Sequence, residues 1–261
     1  MPELPEVELF RRYFNATALH QSIDRTQVLA PSLLVDASPQ GLGRALKRNR
    51  FQSTSRHGKY LFAQLDTGKC LVLHFGMSGR LDYGKRDRGP PEYTRFSVRF
   101  ESGYQLDYVA PRKLGRIALT DSPEAWVAQR QLGPDALAIG EEEFVHLAGG
   151  RRAGVKSWLM DQQSIAGIGN EYSDEILFHA GMHPQRKLTE LRKSDFGRLF
   201  KKMRAVLQTA IDSDVDAEQL PRAFLLPHRH RDGRCPGCDV RLETVKVAGR
   251  TAWFCPKCQQ R

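Results

Sequence analysis

The chain has 261 residues, of which 40% are hydrophobic, and this length is sufficient for two domains with apolar cores. Its 40 Lys and Arg residues exceed its 30 Asp and Glu residues, which gives a formal net charge of +10. That charge points to a polyanionic partner, and nucleic acid is favoured over membrane because neither a lipid anchor nor an apolar spanning segment accompanies it. The start of the chain lacks the basic and apolar segments of a secretory signal, so we expect a cytoplasmic protein.

The first six residues, MPELPE, combine prolines with two carboxylates. Removal of Met1 leaves Pro2 with a free secondary amine, whose attack on an aldehyde carbon gives an iminium ion that is cationic without protonation. Glu3 and Glu6 are then available for proton transfer. The alternative interpretation is structural, with Pro5 at the first position of an amphipathic helix. The two interpretations are compatible, and these residues alone do not decide between them.

After this helix, short apolar segments alternate with turn residues, a pattern typical of β-strands. The segments lie at 59–65, 70–75, 96–100, 104–109 and 116–119, and hairpin loops are predicted at 66–68 and 101–103. Residues 81–93, dense in charge, Gly and Pro, are predicted as a loop. The pattern predicts an N-terminal β-sandwich domain over residues 1–132, with Cys70 as a buried and inert thiol.

From Glu141 onward the apolar spacing becomes that of helices. The clearest helix follows Ser194, which is predicted to cap it, and ends near Asp212. Its predicted buried face consists of Phe196, Leu199, Phe200, Met203, Val206, Leu207 and Ala210. We therefore predict a mostly helical domain over residues 133–231, with an irregular linker at 214–232.

Four of the five cysteines form two Cys-x-x-Cys pairs near the end of the chain: Cys235, Cys238, Cys255 and Cys258. This spacing suits one tetrahedral structural zinc ion, and the alternative of two disulfides is disfavoured in a reducing cytosol. Residues 241–247 and 250–254 are predicted to pair across a two-residue turn. The sequence thus predicts a zinc ribbon over residues 232–261.

Two segments of the chain have features of phosphate-binding sites. The run Gly167, Ile168, Gly169, Asn170 precedes a helix, and Asn170 is predicted as its N-cap. Glycines let backbone N–H groups approach an anion, and a helix N-terminus favours one, although a tight connection between helices has the same pattern. Arg250, at the ribbon tip, is either a phosphate clamp or a solvated turn residue.

Four further polar or apolar residues also permit two interpretations. Lys59 and His74 stand at strand ends, where polar groups often converge on a functional site. The alternative for Lys59 is a cation that protects an edge strand from pairing, and the alternative for His74 is a partly buried histidine with satisfied hydrogen bonds. Met77 fits a core position. Arg151 is either a phosphate contact or a solvated residue at a helix start.

Taken together, these motifs resemble those of the formamidopyrimidine-DNA glycosylase and endonuclease VIII family, and the start of the chain is more similar to the formamidopyrimidine branch. The resemblance is carried by residues 1–8, 58–61, 74–79, 132–134, 159–162, 166–170, 180–184 and 255–259. It implies an α+β fold, in which a β-sandwich is joined to a helix-two-turn-helix domain and a zinc finger. It also implies a monomer that binds double-stranded DNA containing damaged bases or abasic sites, at the nucleoid and not at a membrane.

The resemblance further implies a role for each site residue. Pro2 would attack C1′ of a nucleotide flipped from the stack, and Glu3 would move protons. Lys59 would assist β-elimination, while Arg250 would hold a phosphate and complete δ-elimination. The DNA-binding residues that it implies are Glu6, His74, Met77, Arg112, Leu114, Arg151 and Asn170, of which Met77 and Arg112 would fill the gap left by the flipped nucleotide.

The chain departs from the family pattern at three places. Leu114 replaces a wedge phenylalanine, and Thr94 stands where a DNA-contacting histidine is common. Residues 211–235 are shorter than usual and lack the elements around the loop that caps an everted oxidised purine. The preferred lesion therefore stays open between 8-oxoguanine and oxidised pyrimidines, ring-opened purines, or bulky or single-stranded lesions. A non-catalytic binder of damaged DNA is a third hypothesis.

Overall fold

Helix α1, Leu4–Ala18, begins one residue before Pro5, which the sequence pattern placed at the first helical position. The structure is a computed structural model that describes residues 1–85 and 89–259. It divides into a first unit, Met1–Pro2 with Glu6–Gln131, and a second unit, which contains Glu3–Pro5 and the residues from Leu132 onward.

The first unit contains two β-sheets. The strands are β1 Ile23–Val28, β2 Leu34–Val35, β3 Phe51–His57, β4 Tyr60–Leu65, β5 Cys70–His74, β6 Arg80–Lys85, β7 Thr94–Phe100, β8 Tyr104–Val109 and β9 Arg116–Thr120. One sheet has the order β1-β7-β8-β6, and the other has the order β2-β9-β5-β4-β3. Helices α2, Pro39–Leu46, and α3, Pro123–Gln129, complete the unit.

Strand β5 is buried along four of its five residues, as expected for a strand with neighbours on both edges. Cys70 lies in this strand and is buried, as predicted, and burial raises the pKa of its thiol. The predicted β-sandwich is thus confirmed.

The interpretation of residues 81–93 as a loop is wrong in part, because β6 occupies Arg80–Lys85. This strand is at the end of its sheet and pairs with β8 alone among the described strands, and its first and last residues, Arg80 and Lys85, are exposed. The predicted loop also includes residues 86–88, which lie outside the described residues.

The second unit is mainly helical. Its helices are α4 Glu141–Ala148, α5 Val155–Met160, α6 Asn170–Ala180 and α7 Lys193–Asp212. The predicted apolar face of α7 is buried from Phe196 to Ala210 and packs in one core with the other helices. The predicted cap at Ser194 is wrong. The cap is Arg192, whose N–H donates to Asp195 at 3.1 Å, so Ser194 lies within the first turn.

The predicted hairpin is formed by β10 at Glu243–Val247, two residues shorter than the predicted 241–247, and β11 at Arg250–Phe254. The strands pair from Glu243 with Phe254 to Val247 with Arg250. The two turn residues, Ala248 and Gly249, have φ of 48° and 75°, as a type I′ turn requires.

Candidate functional site

Glu3 is fully buried in the second unit, and its carboxylate lies at the N-terminus of α6. It accepts hydrogen bonds from the backbone N–H groups of Gly169 at 2.5 Å, Glu171 at 2.9 Å and Tyr172 at 3.3 Å. These N–H groups have no partner inside the helix, and the helix dipole favours a negative charge at this end. The donors that the sequence suggested for a phosphate are therefore bonded to a carboxylate of this chain.

Two glycines make this approach possible. A Cβ on Gly169 would collide with the Glu3 carboxylate, and a Cβ on Gly167 would lie 2.6 Å from Cδ1 of Leu4. Gly167 also has φ of +117°, and its carbonyl accepts from the N–H of Leu4 at 3.0 Å. The loop thus holds the Glu3 side chain in place. Pro2, the residue before Glu3 in the chain, is half-buried, and so is Glu6.

Asn170 does not cap α6, contrary to the prediction, because it is the first helical residue and Gly169 occupies the cap position. Its Nδ2 instead donates to the carbonyl of Thr251 on β11 at 3.1 Å. The neighbouring Arg250 is exposed at the ribbon tip.

A buried cluster of charged side chains that the sequence did not reveal lies beside Glu3. Lys156 is 0% exposed, and its Nζ donates to the carbonyl of Asn170, to Oγ of Ser173 and to Oδ1 of Asp174. Burial lowers the pKa of Lys156, and the carboxylates of Asp174 and Glu3 oppose this shift. The available signal was a lysine among the apolar residues of α5, too weak to single out.

In the first unit, Lys59 and His74 come together through the β3–β4 hairpin. Lys59 is 8% exposed at the turn, and the next residue, Tyr60, pairs with His74 on β5. Burial lowers the pKa of His74 to about 4, and the nearby charges of Lys59 and Arg116 add to this shift. The ring is therefore neutral at pH 7. Its Nδ1 accepts from the N–H of Gly76 at 3.3 Å, which leaves Nε2–H as a donor.

Met77, Arg112 and Leu114 also lie close together in the first unit. Arg112 Nη1 lies 3.8 Å from Sδ of Met77, and a Cβ on Gly76 would lie 2.5 Å from the carbonyl carbon of Leu114. Met77 is 45% exposed and Leu114 is 53% exposed. The interpretation of Met77 as a core residue is therefore wrong.

Arg151 and Thr94, which the sequence also singled out, have hydrogen-bond partners outside the groups described above. Arg151 is exposed and precedes α5 by four residues, so it does not start that helix, and its Nη1 donates to Oγ of Ser164 at 2.9 Å. Thr94 is buried, and its hydroxyl donates to the carbonyl of Pro91 at 2.7 Å.

The four ribbon cysteines form a metal-binding cluster, since their Sγ atoms all lie within 4.8 Å of one another. The distances are 3.8 Å between Cys235 and Cys258 and 3.5 Å between Cys238 and Cys255. A tetrahedral zinc ion with Zn–S bonds of about 2.3 Å requires sulfur separations of roughly 3.8 Å. The cluster fits one structural zinc ion.

Comparison with known families covers most of the chain. The formamidopyrimidine-DNA glycosylase N-terminal domain matches residues 1–117, the H2TH domain of the same enzymes matches 132–220, and the zinc finger found in these enzymes and in IleRS matches 233–261. The chain belongs to the formamidopyrimidine-DNA glycosylase family.

Individual relatives of the family are similar over their whole lengths. The formamidopyrimidine-DNA glycosylase of Pelobacter propionicus is 35% identical over 270 residues, with 100% of both chains covered. That of Geobacter metallireducens is 35% identical, with 99% of this chain and 100% of the relative covered.

Solved structures agree with this family membership. The Lactococcus lactis enzyme bound non-covalently to DNA containing an abasic site has a TM-score of 0.90 at 28% identity, with 99% of this chain and 100% of that chain covered. A complex of an inhibited form with DNA containing N7-benzyl-Fapy-dG has the same TM-score and identity, with both chains covered completely.

The short segment between α7 and the ribbon is held against α6. Glu175 is fully buried, and it accepts from the N–H groups of Leu225 at 2.8 Å and Leu226 at 2.7 Å. Phe224 and Leu225 are buried as well.

Among the helices of residues 1–85 and 89–259, none has the length and apolar character needed to cross a membrane.

Proposed function

We propose that this protein is a bifunctional DNA glycosylase and abasic-site lyase of base-excision repair. Its substrate is double-stranded DNA that contains damaged bases or abasic sites, which it processes as a cytoplasmic, nucleoid-associated monomer. The observation that carries the proposal is the Glu3 carboxylate, fully buried and held by three backbone N–H groups directly after Pro2. A terminal amine beside a fixed carboxylate is an arrangement suited to covalent catalysis with proton transfer.

The chemistry begins after removal of Met1. The Pro2 nitrogen forms a bond to C1′ as the glycosidic bond breaks, and the departing base receives a proton. The nitrogen then gives up its proton, and the C1′–O4′ bond breaks as O4′ takes up a proton, which opens the sugar ring and gives the iminium ion. This ion withdraws electrons and acidifies the C2′ proton, so loss of that proton breaks the bond between C3′ and the 3′ phosphate oxygen, and the 3′ phosphate departs as the leaving group. A second elimination breaks the bond at C5′. Glu3 is the group that moves protons during base loss and ring opening.

In this proposal both Lys59 and His74 donate hydrogen bonds to the DNA backbone, Lys59 as a cation and His74 as a neutral ring. The Lys59 ammonium has the charge to interact with a phosphate and to assist β-elimination. His74 donates from Nε2 because its depressed pKa of about 4 keeps it neutral at physiological pH.

Met77, Arg112 and Leu114 are proposed to fill the space left by an everted nucleotide. Exposed apolar side chains on adjacent loops are suited to insertion into the base stack. Leu114 unstacks bases as an aliphatic wedge, without the aromatic stacking that phenylalanine provides.

Arg151, Asn170 and Arg250 are proposed to hold phosphates from the second unit. Arg250 stands at the tip of a hairpin that the zinc ion fixes, and this rigidity is what a phosphate clamp requires. Glu6 is proposed to face the DNA.

A second proposal concerns the lesion. Within the described residues, the segment 213–232 is held by Glu175 through Leu225 and Leu226, and this supports a pocket without a capping loop. We infer that oxidised pyrimidines, ring-opened purines and bulky or single-stranded lesions are excised in preference to 8-oxoguanine. The N7-benzyl-Fapy-dG complex of the Lactococcus lactis enzyme is consistent with tolerance of bulk in the family.

Borohydride trapping tests the main proposal. The Met1-processed protein should form a covalent complex with abasic-site DNA, and Pro2→Gly should slow trapping much more than it weakens DNA binding. DNA binding that falls steeply with salt, without any adduct or strand cleavage, would instead identify a non-catalytic binder. A panel of lesions tests the second proposal, which fails if 8-oxoguanine opposite cytosine is excised as fast as any other lesion.

A further inference from the structure

Two side chains of α6 bind the free edge of ribbon strand β11. Asn170 Nδ2 donates to the carbonyl of Thr251 at 3.1 Å, and the N–H of Trp253 donates to Oδ2 of Asp174 at 3.1 Å. These backbone groups belong to the edge of β11 that does not pair with β10. Helix α6 therefore supplies side-chain partners where a third strand would otherwise pair.

The spacing of the two elements explains this match. Residues four apart on a helix lie on the same face, about 6 Å apart. Residues two apart on a strand are separated by about 6.7 Å and point their backbone groups to the same edge. Asn170 and Asp174 thus align with Thr251 and Trp253.

Asp174 also connects the ribbon edge to the interior of the unit. Its side chain is 0% exposed, and Oδ1 accepts from Lys156 Nζ at 2.7 Å. Oδ2 accepts from Nε and Nη2 of Arg229 at 3.1 Å and 2.8 Å, besides the N–H of Trp253. One carboxylate therefore joins α5, the linker and β11.

The position of Arg250 depends on this connection. Side chains alternate along β11, so Arg250 shares a face with Ala252 and Phe254, both of which are buried. The ring of Phe254 packs edge-on against His183 at a centroid distance of 4.5 Å. A shift of β11 along or away from α6 would therefore displace the Arg250 side chain.

We propose that Asp174 is a positioning residue that holds Arg250 in register for δ-elimination. This inference rests on the proposed function, because it assigns to Arg250 the phosphate contact of that step. Asp174 touches no reacting atom in this role and acts through the ribbon backbone.

The test compares Asp174→Asn with the unmodified protein on an abasic-site duplex, by the ratio of δ- to β-elimination products and by borohydride trapping. A displacement of about 1 Å at a reacting site lowers rates by up to about 100-fold, so the ratio should fall by about 10- to 100-fold while trapping by Pro2 persists. Arg229→Gln removes only the guanidinium donors to Asp174, so it should lower the ratio of δ- to β-elimination products less than Asp174→Asn does. This variant tests the proposal if Asp174→Asn does not fold.

The matched control is Asp195→Asn. Asp195, on α7, is a buried carboxylate of the same unit that pairs with Arg186 and with Arg198, and none of its hydrogen bonds among the described residues involves the ribbon. Its replacement should leave the product ratio unchanged. In an Arg250→Ala background, Asp174→Asn should produce no further fall, since both act through the same side chain.

Hydrogen exchange separates failure of this inference from failure of the proposed function. The Trp253 amide should lose protection in Asp174→Asn but not in Asp195→Asn, whether or not the protein cleaves DNA. Absence of trapping by the unmodified protein contradicts the proposed function alone. An unchanged product ratio, an equal fall in the Asp195 control, or a further fall in the Arg250→Ala background overturns the role of Asp174.

Discussion

The Glu3 carboxylate accepts a hydrogen bond from the backbone N–H of Gly169 at a position where a Cβ on residue 169 would collide with it. Glycine is therefore required at this position by proximity and not by backbone conformation, since Gly169 has an extended φ of −124°. The glycine therefore keeps the carboxylate at the N-terminus of α6, directly after Pro2 in the chain, and in the proposed mechanism this carboxylate moves protons.

The first prediction concerns this contact. Gly169→Ala should displace Glu3 and lower the single-turnover rate of base excision by about 100-fold, the usual effect of moving a catalytic group by roughly 1 Å. Gly140→Ala is the matched control, because a Cβ there meets nothing within 4 Å and the residue caps α4 with an ordinary φ of −81°. Equal rates for the two variants would contradict the positioning of Glu3 by Gly169.

The second prediction follows from the depressed pKa of His74, about 4 in the folded protein against 6.5 for an unperturbed ring. Between these values the unfolded chain binds a proton that the folded chain does not. The free energy of unfolding should therefore fall as the pH drops through this window, by up to about 3 kcal/mol. Urea unfolding between pH 7 and 4 measures the slope.

His74→Gln should remove most of that pH-dependent difference from the unfolding curves. His146→Gln, on α4 in the second unit, is the control and should retain it. A slope that persists in full without His74 would assign the effect to other groups.

The third prediction concerns zinc. Cys238→Ser should lose the metal, because three thiolates and a hydroxyl bind zinc less well than four thiolates. Elemental analysis should find one zinc per chain in the unmodified protein. Cys70→Ala, a change at a buried thiol of the first unit, should keep the full zinc content. δ-Elimination should fall with the zinc content, since Arg250 is held by the ribbon.

The fourth prediction concerns the exposed apolar loops of the first unit. Met77→Ala and Leu114→Ala should change the free energy of unfolding by less than about 0.5 kcal/mol, because both side chains are largely exposed. Excision from duplex DNA should slow, whereas cleavage of a single-stranded abasic site should be little affected, since no base stack has to be opened.

Leu29→Ala is the control for this pair, because Leu29 is 44% exposed and lies in the same unit. It should leave both duplex and single-stranded reactions unchanged. If the two wedge variants slow both substrates equally, the residues do not act on the base stack.

The strands of the first unit that could be predicted from the sequence share one feature. The five predicted segments correspond to β4, β5, β7, β8 and β9, which in the described sheets are the strands with neighbours on both edges. Those strands are apolar because they are enclosed. The strands that were missed, β1, β2, β3 and β6, stand at sheet ends, where polar and charged residues keep the edge from pairing with other chains.

The sequence by itself determined the zinc ligands, the apolar face of α7 and the interior strands, because each depends on spacing over a few residues along the chain. Only the tertiary structure decided that Glu3 bonds to Gly169, 166 residues away, and that Asp174 bonds to the N–H of Trp253, 79 residues away. Such pairs depend on how distant segments pack, and neither residue type nor local period encodes the partner. For the same reason, the helix N-terminus that the sequence offered to a phosphate is bonded in the folded protein to the carboxylate of Glu3.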